Sequence, residues 1–214
     1  MPPKHKTADE RLQLHTSILD AARELFVERG VEATTMREIA KRIGYSPTAL
    51  YLHFKDKDDI LRALCETDFL ALAAGLQSII GIHDVRQRLS MLCDGYAEFA
   101  LSHPNHYRLM FMTPQPVIDK TELKMIHRGN PEQDAYAQLK SIVQDAFEGG
   151  HFRPELTNVD LISQTLWAGI HGACSLQISK GNDDWVEWRP IAERIQMMRE
   201  TLMIGILRAD QTKM

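Results

Sequence analysis

The chain has 214 residues, room for two small domains, and its 44% hydrophobic and 25% charged content is that of an ordinary folded protein. The polar opening MPPKHKTADERLQLH lacks the apolar core of a secretory signal, and no apolar run of about 18 residues marks a membrane span, so a cytoplasmic protein with no membrane partner is expected. The net charge of −4 hides a split: residues 1–57 balance at +2 and residues 58–214 at −6, a mildly basic front on an acidic body.

Ile18, Ala21, Ala22, Leu25 and Phe26 recur at helical spacing, and Gly30 stops that first helix. Thr35-Met-Arg-Glu38 has the form of a capping box and opens a second helix that ends at Gly44. Ser46-Pro47, a cap followed by proline at the first helical position, opens a third, expected over Pro47 to Phe54. Asp56 caps a fourth, expected from about Lys57 to Ile80. Further helices are expected over Val85–Ser102, Tyr107–Met112 after a break at His103-Pro104, Pro131–Glu148 up to Gly149-Gly150, Val159–Lys180 and Pro190–Arg208, with Thr113–Thr121 as a loop. No strand pattern, repeat or low-complexity tract is present, so the fold class is all-α with about nine helices.

The second and third helices are too short to stand alone and must pack on the first. Two short helices joined by a tight glycine turn make a helix-turn-helix unit, whose second helix reads base edges with its exposed N-terminal face. That face is Pro47, Thr48, Tyr51 and Leu52, opened by Ser46. Thr48 can hydrogen-bond a base or touch a thymine methyl, and Pro47 and Leu52 can touch methyls. Phosphate contacts are expected from Thr34 or Thr35, Arg37, Tyr45, Tyr51, His53 and Lys57, with Lys4, Lys6 and Arg11 as a basic arm. Lys57 begins a helix, so its charge would add to exposed backbone amides at one phosphate. On spacing alone, plain packing of three capped helices remains the alternative.

The run from Thr35 to Lys57, TMREIAKRIGYSPTALYLHFKDK, resembles the DNA-binding segment of the TetR/AcrR family of transcriptional regulators. The shared elements are the threonine before the second helix, Ile39-Ala40, Gly44, Ser46, Leu50-Tyr51, His53-Phe54 and Lys57; Ala21 to Phe26 and Arg29-Gly30 resemble the family's first helix. The likeness covers roughly residues 14–62. It implies that Thr35, Tyr51, His53 and Lys57 hold the DNA backbone while Pro47, Thr48 and Leu52 face bases of a double-stranded, pseudo-palindromic operator. Many relatives carry lysine or arginine near Pro47-Thr48; without a cation there, methyl contacts to thymine are expected rather than readout of guanine. The implied division is a DNA-binding domain at 1–57 and an effector-binding and dimerisation domain at 58–214.

Family members form homodimers through their last two long helices, and this sequence supports that independently. Ile191, Ile195, Met198, Leu202 and Ile206 form one stripe of the last helix, and Met197, Thr201 and Ile204 widen it. Ala168, Gly169, Gly172 and Ala173 permit close approach of the helix before it. Burial of both helices within one subunit is the alternative. The segment Trp167 to Gly172, with His103-Pro104 and Tyr107 to Phe111, resembles a C-terminal domain type of the family marked by Trp, His and Gly. Such a body encloses a small-molecule effector whose binding weakens DNA binding. Expected lining residues are Tyr96, Phe99, Tyr107, Met110, Phe111, Met125, Phe147, Trp167 and His171, unless these are ordinary core. The function implied is a repressor released by a small apolar ligand, or alternatively an activator or effector-independent binder.

No enzyme, cofactor or metal reading fits. His103-x-x-His106 lacks a partner acid and contains proline, no nucleophile elbow or Gly-rich phosphate loop is present, and Cys65, Cys93 and Cys174 fall in no ligand spacing. The three cysteines read as buried thiols of a reducing compartment.

Overall fold

The computed structural model describes residues 7–116 and 129–209, so Lys4, Lys6 and Met125 lie outside the described residues. The described chain is helical, with a single isolated antiparallel bridge between Phe152 and Leu207. It divides into two compact units, one drawn from Met1–Asp68 and Asn105–Leu123, the other from Phe69–Pro104 and Lys124–Met214.

In the first unit, α1 (Ala8–Arg29) opens at a capping box in which Thr7 accepts from the Glu10 amide and Glu10 accepts from the Thr7 amide. The same device opens α2 (Met36–Arg42) at Thr35 and Glu38. Gly44, at φ +74°, makes the left-handed turn after it, a conformation that a side chain would strain. In α3 (Pro47–Tyr51) Ser46 accepts from the Ala49 amide at 3.3 Å. This helix is shorter than the expected run to Phe54. The His53 and Phe54 amides both fold back onto the Leu50 carbonyl, at 2.8 and 2.9 Å, a tightened end that brings Phe54 into the core beside Leu50. Ile18, Phe26, Ile39, Leu50, Ile60 and Leu64 are at most 3% exposed and form the centre of that core.

The helix α4 (Lys57–Gly75) starts at Asp56, which accepts from the Asp59 amide. It stops at Gly75, before the expected Ile80, and a 3-10 turn over Gln77–Ile79 follows, turning Leu76 and Ile79 inward. The short helix α6 (Pro104–Phe111) begins three residues before expectation, because proline at a first helical position needs no amide partner. The residues of α6 from Asn105 onward group with α1–α3, although α6 lies beyond residue 57 and the sequence reading placed it in the C-terminal domain. Leu109 belongs to the first unit's core, where its carbonyl accepts from the Cys65 thiol at 3.6 Å.

The second unit packs α5 (Val85–Ser102), α7 (Ala135–Glu148), α8 (Val159–Lys180) and α9 (Ile191–Ile206) against one another. The helix α7 starts at Ala135 rather than Pro131 because Asp134 is the cap, accepting from the Tyr136 and Ala137 amides. Gly169 of α8 lets α9 approach: a Cβ there would lie 2.9 Å from Leu202 and 3.2 Å from the Met198 sulfur. Among the described residues no helix is long and apolar enough to cross a membrane, and no cluster of side chains could hold a metal. The three cysteines are buried and unpaired, and burial pushes each thiol up to about 12.

Candidate nucleic-acid interface

The outer surface of α3 and the turn after it is uncharged and partly apolar. Tyr51 is 56% and Leu52 83% exposed, Thr48 and Ser46 are exposed, and Pro47 is half-buried. A leucine left that open on a well-packed unit has no role in the fold, and it stands beside a hydroxyl able to hydrogen-bond a base. Tyr45, 43% exposed, follows the Gly44 turn. His53 is half-buried, its ring 6.1 Å from that of His15 on α1, which also lies 4.7 Å from the Phe54 ring.

The donors expected at phosphates separate into two groups. Thr34 is 1% exposed and its hydroxyl donates to the Gly30 carbonyl at 2.9 Å, so it serves the turn after α1. Thr35 is exposed, but its hydroxyl caps α2 and donates to Glu38 at 2.8 Å. That bond, with the nearby Arg29 guanidinium, holds the Glu38 carboxyl below its usual range. The Lys57 ammonium also points inward. It donates to the Val31 and Glu32 carbonyls at 3.0 and 3.2 Å and pairs with the Glu32 carboxylate at 3.1 Å. An ammonium has three protons, and all three are used.

The available positive charge lies elsewhere. Arg29, Arg42 and Arg62 are paired with carboxylates. Among the described residues of 7–68, Arg11, Arg37, Lys41 and Lys55 are exposed and carry no ion pair. Arg37 and Lys41 are one turn apart on the exposed side of α2, and Lys55 follows the reading face. Lys41 and Lys55 escaped the sequence reading. The i, i+4 spacing from Arg37 could have signalled Lys41, whereas Lys55 gains its place only once Lys57 is seen to turn inward.

The first unit also buries a charge cluster that the sequence did not announce. Asp68 of α4, 1% exposed, accepts from both terminal nitrogens of Arg23 on α1, at 2.5 and 2.9 Å, and from His106 Nδ1–H on α6 at 2.9 Å. A buried carboxylate needs such pairing, and the cluster ties three helices together.

The residues expected to line an effector site divide between the units. In the first, Tyr107 and Met110 are buried, and the Tyr107 ring lies 4.9 Å from that of the half-buried Phe111. In the second, Tyr96, Trp167 and His171 come together. Trp167 Nε1–H donates to Tyr96 Oη at 3.1 Å, and the Tyr96 hydroxyl and His171 Nδ1 share a hydrogen bond of 3.0 Å. Burial pushes the His171 pKa down, favouring the neutral imidazole. Tyr136, missed in the sequence, places its ring 5.9 Å from Trp167. Phe99 packs on His103 at 5.2 Å, and Phe147 is half-buried on α7. A shallow cleft of about 310 Å³ between α5 and α9, lined by Ala97, Leu101, Ile195 and the Asp94–Arg199 ion pair among others, includes none of the expected lining residues.

The last two helices each keep an apolar outer face. Leu161, Leu176, Met197 and Ile204 are 60, 49, 65 and 72% exposed. A Cβ on Gly172 or Gly205 would meet nothing within 4 Å, so these glycines face outward while Gly169 faces α9.

Two family profiles match the chain. One, described as bacterial regulatory proteins of the tetR family, covers residues 18–64, and the other, described as a tetracyclin repressor-like C-terminal domain, covers residues 89–198. The HTH-type transcriptional activator FasR of Mycolicibacterium smegmatis is 37% identical over 95 residues, 44% of this chain and 43% of that protein, so the chain matches less than half of this relative's length. The HTH-type transcriptional repressor KstR2 of the same species is 28% identical over 160 residues, 72% of this chain and 76% of that protein. A solved structure of a protein of unknown function from Rhodococcus sp. RHA1 superposes with a TM-score of 0.72 at 24% identity, covering 97% of this chain and all of the other.

Proposed function

The chain belongs to the tetR family of bacterial regulatory proteins, and from that premise we propose that it is a homodimeric repressor, released from a pseudo-palindromic DNA operator by a small, mainly apolar ligand. The observation that carries this reading is the exposed, uncharged face of Thr48, Tyr51 and Leu52, set among the unpaired cations Arg37, Lys41 and Lys55. Cations fix the protein on phosphates, and the neutral face reads bases, with thymine methyls as its targets. Tyr45, Tyr51, His53 and the exposed backbone around Ser46 complete the phosphate contacts, with Thr35 and Lys57 shaping the surface from beneath.

The unit holding α1–α3 binds DNA, and the unit holding α5, α7, α8 and α9 dimerises and senses. The outer faces of α8 and α9 support a dimer through these two helices, since apolar residues on a second side of a helix call for a second partner. The Tyr96–Trp167–His171 group supports an effector site. DNA and ligand oppose each other because each favours a different arrangement of the two subunits, a coupling that is reciprocal. The chain acts by binding rather than by catalysis, and in the cytoplasm, where a bacterial operator lies.

A promoter fusion assayed with and without the chain tests the sign of regulation. Repression is expected. A rise in expression would instead favour an activator, the printed role of FasR, over a repressor, the printed role of KstR2.

A further inference from the structure

Lys55 stands between two fixed points. Before it, Phe54 is 4% exposed and sits in the core with Leu50; after it, Asp56 caps α4. The lysine itself is exposed, carries no ion pair among the described residues, and follows Leu52 of the reading face by three positions.

Three helices of the first unit carry a carboxylate three residues after the cap, and one of them uses it differently. Glu10 of α1 and Glu38 of α2 return to the amide of their own cap, Thr7 at 2.7 Å and Thr35 at 2.9 Å. In α4 the Asp59 amide donates to the Asp56 cap at 2.8 Å, but the Asp59 carboxylate passes over that cap and accepts from the Lys55 amide at 3.0 Å. Its other oxygen accepts from the Arg62 guanidinium at 3.3 Å. Ile60 and Leu61, 0 and 1% exposed, hold this turn of α4 in the core.

The bond to Lys55 lies at the surface, where water could accept from the amide as well. It does not rescue a buried donor. What it adds is direction, since it ties the Lys55 backbone to a carboxylate anchored on α4. A bare aspartate so close to a phosphate contact would repel the phosphate, and the Arg62 charge offsets it.

We propose that Asp59 is a positioning residue for DNA binding: it fixes the backbone of Lys55 so that the ammonium meets a backbone phosphate. This assignment rests on the reading of Lys55 as a phosphate contact. Asp59 itself touches no DNA, and Arg62 acts only through Asp59.

The test measures affinity against salt concentration for a labelled duplex carrying the selected operator, with the full chain. Lys55→Ala and Asp59→Ala are each expected to make the logarithmic salt slope shallower by about 1, the loss of one phosphate contact. The double variant is expected to be no shallower than either single one, because both remove the same contact. Asp59→Asn, whose side-chain oxygen still accepts from the Lys55 amide, is expected to restore the wild-type slope. Asp59→Ser, too short to reach that amide, carries the expectation of the alanine variant and serves if that variant does not fold. Three results would overturn the assignment: a wild-type slope in Asp59→Ala or Asp59→Ser, which leaves only a helix cap; slopes that add in the double variant; or tighter binding in Asp59→Ala and Asp59→Asn alike, the mark of a lost repulsive charge. If Lys55→Ala itself keeps the wild-type slope, the reading of Lys55 fails and the assignment falls with it. A shallower slope in Lys55→Ala beside a wild-type slope in Asp59→Ala leaves that reading standing and removes Asp59 alone.

Discussion

Arg23 and Asp68 face each other side by side, with the guanidinium's two terminal nitrogens at 2.5 and 2.9 Å from the two carboxylate oxygens. Asp68 is 1% exposed, and His106 on α6 donates to it from another side at 2.9 Å. Removing one member of a buried charge pair leaves the other uncompensated. Asp68→Ala should therefore lose about 3–5 kcal/mol of stability in urea unfolding. Replacing Arg23 and Asp68 together by apolar residues should recover much of that loss, because no charge is then left buried.

Lys57 and Lys55 should behave differently, although both lie in the family-like motif. Lys57→Ala removes the ammonium that gathers the Val31 and Glu32 carbonyls and should lower stability by about 1–3 kcal/mol. Lys55→Ala should leave stability within about 0.5 kcal/mol of wild type. It should make the logarithmic salt dependence of DNA binding shallower by about 1. Denaturation curves and salt titrations of a labelled duplex separate the two effects.

The outer faces of α8 and α9 should govern assembly. Ile204→Glu puts a charge where 72% of an isoleucine is exposed in one subunit, so its own fold should be unaffected. Gly172→Leu likewise places its first side-chain atom where nothing lies within 4 Å. Both variants should sediment as folded monomers and lose operator affinity together. Unchanged dimers would move the interface elsewhere.

His171 gives the second unit a dependence on acidity. Burial lowers its pKa in the folded chain below the ordinary 6.5, so the unfolded chain takes up protons first as pH falls. The stability contributed by the neutral imidazole is present above 6.5 and declines as pH falls through 6.5 toward the lower folded value. Thermal unfolding at about pH 7.5 and about pH 5.5 should show this loss, and His171→Gln should reduce it.

Much of the fold was legible because its punctuation is local. Thr35 with Glu38, Ser46 with Pro47, and Asp56 each fixed a helix start through a cap, and Gly30 and Gly44 fixed two ends by conformations that other residues avoid. The errors at Phe54, Ile80, Pro104 and Pro131 lie at helix ends where tertiary packing or a nearby cap decides. The reading face of α3 was legible for the same local reason. What helical spacing could not show is how polar groups are spent. Thr34, Lys57 and Asp68 differ in function through partners 4 to 45 residues away, and a pattern of apolar positions carries no record of that.

Selection of bound DNA from a random pool tests the central claim most directly, run in parallel on wild type and Thr48→Ala. The account predicts a two-fold symmetric consensus whose half-sites lie about one helical turn, roughly 34 Å, or a multiple of it apart. It predicts thymines within each half-site, with the preference at one position relaxed in the variant by about 1 kcal/mol. Enrichment of no sequence, or of an asymmetric site identical for both proteins, would contradict it.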